Sequence, residues 1–209
     1  MAASVGRGPP GSATARIPEI DPSEAHRAMT TDNPHTDVLL FFNPAEAREL
    51  DALVDRIIPG EPGSPGASEA GVLRYIDQGL AGFLRDLQTT YRRGLLELGE
   101  LARRSGRGRF ADLDIPTRER IVADLDRIGR EDPDDFTGQF FRIVREHTVQ
   151  GFFGDPAYGG NTDLAGWRLV GFPGAQWSYT PDQMQPGFDA SRIPMFTVSD
   201  LYRRLGDHR

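Results

Sequence analysis

The chain has 209 residues, enough for one ordinary domain with tails, and carries 24 basic against 31 acidic side chains for a net charge of −7. Every basic residue is Arg, and there is neither Lys nor Cys; this removes Schiff-base and P-loop lysine chemistry, thiol nucleophiles, disulfides, Cys-ligated iron–sulfur clusters and covalent haem. A net-acidic chain is a poor partner for nucleic acid or an anionic membrane, and the run Val38-Leu39-Leu40-Phe41-Phe42 falls far short of the about 20 apolar residues that span a bilayer.

Residues 1–36 are rich in Gly, Pro, Ser, Thr and Ala and poor in large apolar side chains, and they read as a disordered arm. The first helix is expected from Asn43-Pro44-Ala45-Glu46, where Asn43 is an N-cap, Pro44 sits at the first helical position and Glu46 completes a capping box. Leu50, Leu53, Val54, Ile57 and Ile58 form its apolar face, and Pro59-Gly60 ends it. The segment Gly60 to Gly66 reads as a tight loop feeding a second helix from about Ala67 to Leu87, with Val72, Tyr75, Ile76, Leu80, Phe83, Leu84 and Leu87 as its stripe. Leu95, Leu98, Leu101 and Ala102 mark a third helix that ends at Arg103-Arg104-Ser105-Gly106, with cations suitably near its C-terminus. A fourth runs from about Pro116 to Gly129 and a fifth from about Pro133 to Gln150. Beyond Gly151 the periodicity is lost until a short helix near Ser199 to Leu205.

Few motifs carry chemistry. Gly106-Arg107-Gly108-Arg109-Phe110-Ala111 fits the loose dinucleotide fingerprint, but a polar helix precedes it where a strand is required. There is no G-x-S-x-G elbow, and His26, His35, His147 and His208 are too scattered for a metal site. His147 lies beside the apolar stripe of the fifth helix and reads as a satisfied core histidine.

The segment that resists a bland reading is Gly151-Phe152-Phe153-Gly154-Asp155-Pro156-Ala157-Tyr158-Gly159-Gly160-Asn161, continued by Gly166-Trp167-Arg168 and Gly171-Phe172-Pro173-Gly174. Ordering so many glycines costs entropy, which only burial of the aromatics offsets. They either close the domain onto its helices or meet another protein, since Tyr, Trp and Arg dominate interface energies. The residues expected at a partner interface are Tyr158, Asn161, Arg168, Trp167, Phe153 and Asp155. A rival reading is a stand-alone carbohydrate-binding protein or enzyme that uses this loop, with Trp167, Tyr158, Asp155 and Asn161 stacking on and hydrogen-bonding a sugar.

Two blocks carry a family resemblance. Val54-Asp55-Arg56-Ile57-Ile58-Pro59, Ser64-Pro65-Gly66-Ala67, Glu69-Ala70-Gly71-Val72 and Tyr75-Ile76-Asp77 resemble the N-terminal signature of the gluconate 2-dehydrogenase subunit 3 family. The glycine-rich block resembles its C-terminal signature, and the likeness covers about residues 42–177. It implies a helical, non-catalytic small subunit that binds, stabilises and helps mature a large FAD-dependent dehydrogenase of the glucose–methanol–choline type. That partner oxidises a sugar, sugar acid or polyol, and some complexes add a cytochrome or another electron acceptor. The resemblance therefore places FAD in the partner and no cofactor in this chain.

The expected architecture is all-α, with about five helices and a long ordered glycine- and aromatic-rich region behind them. The helical domain is expected over residues 37–190, followed by a tail over 191–209. Many members of the family begin with a twin-arginine signal, whereas the start of this sequence has no paired Arg and no apolar run behind Arg7 or Arg16. The expectation is a cytoplasmic complex, with export to the periplasm alongside a signal-bearing partner as the alternative and no insertion of this chain into the membrane.

Overall fold

The structure, a computed structural model, describes residues 38–106 and 108–206; the expected N-terminal arm, residues 1–36, lies outside them. Among the described residues there are seven α-helices and no strand: α1 Pro44–Ile57, α2 Val72–Ala81, α3 Gln88–Ser105, α4 Ile115–Glu131, α5 Phe136–Phe153, α6 Ala165–Val170 and α7 Val198–Gly206. The all-α expectation holds, and the additional helix is α6, inside the block expected as loop. No described helix is long and apolar enough to cross a membrane.

Helix α1 begins as its sequence dictates. Asn43 accepts from the backbone N–H groups of Ala45 and Glu46, and Glu46 reaches back to the Asn43 N–H at 3.0 Å. The loop behind α1 closes on itself through paired hydrogen bonds between Glu61 and Ser64, each 2.9 Å, while Ala67 N donates to Ile58 O at 2.8 Å. Gly66 is required by close approach: a Cβ there would lie 2.3 Å from Gly60 N.

The second helix is shorter than expected at both ends. Gly71 takes a left-handed conformation, φ +75°, so residues 67–71 form turns and α2 starts only at Val72. At the other end the helix stops at Ala81, and Gly79 O accepts from both Gly82 N and Leu84 N. The break rotates Phe83 out of the expected core stripe, leaving it 66% exposed. A 3₁₀ turn over Arg85–Leu87 then leads into α3.

Helix α5 is the centre of the bundle and packs against α1, α2, α3, α4 and α6. Its Phe140, Phe141, Val144 and Phe152 meet Leu50 and Leu53 from α1, Ile76 and Leu80 from α2, Leu95 and Leu98 from α3, and Ile121 and Leu125 from α4 in one core. Gly94 brings α3 close to α5, because a Cβ there would overlap the Phe140 ring. His147 is buried in this core, its Nδ1 2.7 Å from the hydroxyl of fully buried Tyr91. Desolvation holds the His147 pKa below its ordinary value and pushes that of Tyr91 up, so the pair is neutral and serves packing.

Asp77, from the N-terminal signature, has a structural task. It is buried on α2 and accepts three backbone N–H groups: Leu40 at 2.6 Å, Phe41 at 3.0 Å and Phe42 at 2.9 Å. This clasp holds the segment before α1 against the core, where Phe42 packs 5.9 Å from the Tyr91 ring.

Candidate partner-binding face

Helix α5 runs through Gly151 instead of stopping there. Tyr75 of α2 explains why: a Cβ on Gly151 would lie 2.8 Å from its ring, so the helix keeps glycine in order to pack, and ends at Phe153. The glycine-rich block then turns back over the ends of α2 and α5. Gly160 meets the backbone of Gly151, where a Cβ would lie 2.1 Å from the carbonyl oxygen, and Gly166 meets Phe152, where the same atom would lie 2.0 Å from the carbonyl oxygen. These crossings of backbone on backbone leave no room for side chains, which is the physical reason for the glycine density.

Asn161 locks the crossing. Fully buried and at φ +48°, it donates through Nδ2 to Gly154 O and accepts at Oδ1 from Gly166 N, both at 2.8 Å. Trp167 is 3% exposed, and its indole Nε1 donates to Phe153 O at 2.7 Å. Arg74 of α2 donates to Gly159 O, and Thr162 N donates to Ala70 O at 2.9 Å. Asn161 and Trp167 therefore hold the block together from inside, and neither presents its side chain on the surface.

What the block presents outward is a groove of about 530 Å³. Its walls are Tyr75 and Phe83 on one side and Val149, Gln150, Phe153 and Tyr158 on the other, with Gly154 and Asp155 between. Phe83, Val149 and Tyr158 are substantially exposed there, and the Tyr75 hydroxyl donates to Gln150 Oε1 at 3.0 Å. Burial, and then the neighbouring Tyr158, raise the Tyr75 pKa, so this hydroxyl stays protonated.

Asp155 is the single carboxylate of the lining, and both its oxygens are engaged. Oδ1 accepts from Ala157 N at 2.9 Å and Oδ2 from Val198 N at 2.8 Å. The groove thus offers aromatic and aliphatic surface with an amide and hydroxyls at its edge, and it has no carboxylate pair for acid–base work.

Of the residues expected at an interface, Phe153, Asp155 and Tyr158 come together in the groove. Arg168 is exposed on α6 and lies outside the lining. The sugar-cradle reading needs Trp167, Tyr158, Asp155 and Asn161 on one open face, and the burial of two of them prevents that. The apolar spacing places Phe83 in the core stripe of the second helix, and no sequence pattern singles out Val149 or Gln150. Gly79 and Gly82 on either side of the α2 break are the sequence signal that could have freed Phe83 from the core stripe.

The glycine fingerprint at Gly106 follows α3 directly, and Phe110 within it is buried in a 3₁₀ turn, while Arg107 lies outside the described residues. Among the described residues no three His, Asp or Glu side chains stand together in a way that could hold a metal ion.

A family model described as gluconate 2-dehydrogenase subunit 3 matches residues 44–174, which span α1 through α6 and the whole glycine-rich block. No curated protein and no solved structure matches the chain.

Proposed function

The chain belongs to the gluconate 2-dehydrogenase subunit 3 family, and on that footing we propose that it is a non-catalytic small subunit that binds and stabilises a FAD-dependent dehydrogenase of the glucose–methanol–choline type. The partner oxidises a sugar, sugar acid or polyol and passes the electrons to a cytochrome or another acceptor. This chain contributes a docking face formed by the groove and the exposed edge of the glycine-rich block. The observation that carries the reading is the groove itself: solvent-facing Phe83, Val149 and Tyr158 around a carboxylate whose two oxygens are already satisfied. Such a site gives a protein partner apolar area and shape and gives a substrate nothing to react with.

The expected result is that chain purified from a host lacking the dehydrogenase shows no visible flavin absorbance and no dehydrogenase turnover with sugar substrates and an artificial acceptor. The same chain co-purified with the dehydrogenase shows both. Stoichiometric flavin in the chain alone would overturn the proposal.

A further inference from the structure

Past Gly174 the chain leaves the family-matched region and makes a closed excursion. Its neck is a parallel bridge between Gly174 and Phe196, in which Ala175 N donates to Phe196 O at 2.7 Å and Phe196 N donates to Pro173 O at 3.3 Å. The Gln176 amide tightens the neck by donating to Pro173 O and Pro194 O, both at 2.9 Å. Within the excursion Thr180 N donates to Gln183 Oε1 at 2.8 Å and Ser191 N to Asp189 Oδ1 at 3.0 Å. Hydrogen bonds from backbone N–H groups and turns therefore shape it; among residues 175–196 only Ile193 is buried, Phe188, Met195 and Phe196 are half-buried, and three large side chains are left over.

Those side chains face solvent. Trp177 and Met184 are each 65% exposed and Tyr179 42%, and Leu169 and Phe172 on the chain entering the neck are also exposed. The charge pattern is equally unusual, since no residue from Leu169 to Pro181 is charged in a chain of which 26% is. Loss of charge over residues 169–181 together with exposed Trp177 and Tyr179 is the composition of an interface core and not of a solvated loop.

The excursion is also mounted on the groove. Asp155 in the groove accepts the Val198 N–H just beyond the neck, and Phe172 packs edge-on to Trp167, whose indole holds Phe153 O. The two surfaces are thus tied through shared residues.

We infer that the excursion over residues 175–196 is a second docking surface, which seats an uncharged apolar face of the same dehydrogenase subunit alongside the groove. The inference rests on the proposed subunit role. Continuity with the groove favours that occupant over a second copy of this chain. An anionic bilayer is disfavoured because residues 175–196 carry Asp182 and Asp189 against the one cation Arg192, so no excess of positive charge is there to meet lipid headgroups.

The test uses the full chain and the purified dehydrogenase subunit. Binding is titrated for wild type, for the double variant Trp177→Ala/Met184→Ala, and for Phe83→Ala in the groove, with melting curves and light scattering of each chain alone. The double variant is expected to melt like wild type, stay monomeric and bind at least tenfold more weakly. Binding by the double variant within twofold of wild type, with Phe83→Ala weakened, overturns the second surface and leaves the subunit role standing. A wild-type chain that does not bind at all overturns both. A wild-type homodimer that the double variant dissociates overturns the occupant in favour of a second copy. Should the double variant lose its fold, Met184→Glu, at an exposed side chain, decides by the same criteria.

Discussion

Replacing Gly166 by Ala is expected to destabilise the isolated chain by about 3 kcal/mol, the upper end for forcing an extra carbon into a packed interior. The added Cβ would lie 2.0 Å from the carbonyl oxygen of Phe152, which belongs to the last turn of α5 and cannot step aside without unwinding it. Nor can Gly166 retreat, because its N–H is held by Asn161 Oδ1 at 2.8 Å. For a domain of this size that loss corresponds to a fall of roughly 10 °C in Tm. Gly99→Ala is the matched control. Gly99 lies within α3, and the nearest atom to its Cβ is a guanidinium nitrogen of Arg103 at 3.7 Å. There the same substitution should raise stability by about 0.5–1 kcal/mol through helix propensity. Thermal melts of the two variants should move in opposite directions, and a Gly166→Ala protein melting with wild type would remove the close crossing from the account.

The second large effect is expected at Asp77. Truncation to Ala withdraws the acceptor from the N–H groups of Leu40, Phe41 and Phe42 at once, in a position only 2% exposed. A buried N–H left without a partner costs about 1–3 kcal/mol, which applies in full to Phe42 and only in part to the half-buried bonds of Leu40 and Phe41, so a loss of about 3 kcal/mol is expected. Asp77→Asn should fall between wild type and Ala. Its one carbonyl oxygen can still serve Phe41 and Phe42, while its amide group faces the Leu40 N–H, donor to donor. Chemical denaturation of the three proteins should give that order. Hydrogen exchange should show the amides of Leu40 to Phe42 losing protection first.

Where local chemistry determines structure, the sequence was legible. Asn43, Pro44 and Glu46 start α1 as their side chains require, and the core face of α3 follows from its apolar spacing. Legibility failed where a tertiary contact decides the conformation of a glycine. Gly151 reads as a stop and is instead a packing site under Tyr75, whereas Gly71 reads as helical and is left-handed, with Thr162 Oγ1 2.8 Å from where its Cβ would be. Each of these contacts joins residues far apart in sequence, so no local pattern records it. Helix α6, over Ala165–Val170, is too short to show a period, and it follows Asp163 and Leu164, both at positive φ.

The candidate face was half legible for the same reason. Composition pointed to the glycine-rich block and to Phe153, Asp155 and Tyr158. Only the fold shows that Asn161 and Trp167 are consumed inside the block while Phe83 and Val149 complete the groove. The block's signature is thus mainly a recipe for close packing.

The most direct test of the central claim is a calorimetric titration of the purified dehydrogenase subunit with wild-type chain, Tyr158→Ala and Trp167→Ala, with melting curves alongside. Tyr158 is 49% exposed at the groove, so its truncation should leave Tm unchanged and weaken binding at least tenfold, about 1.4 kcal/mol. Trp167 is buried, so its truncation should cost about 3–5 kcal/mol of stability in the isolated chain. Wild-type affinity for Tyr158→Ala, or no binding by the wild-type chain, would contradict the assignment of this face to the dehydrogenase.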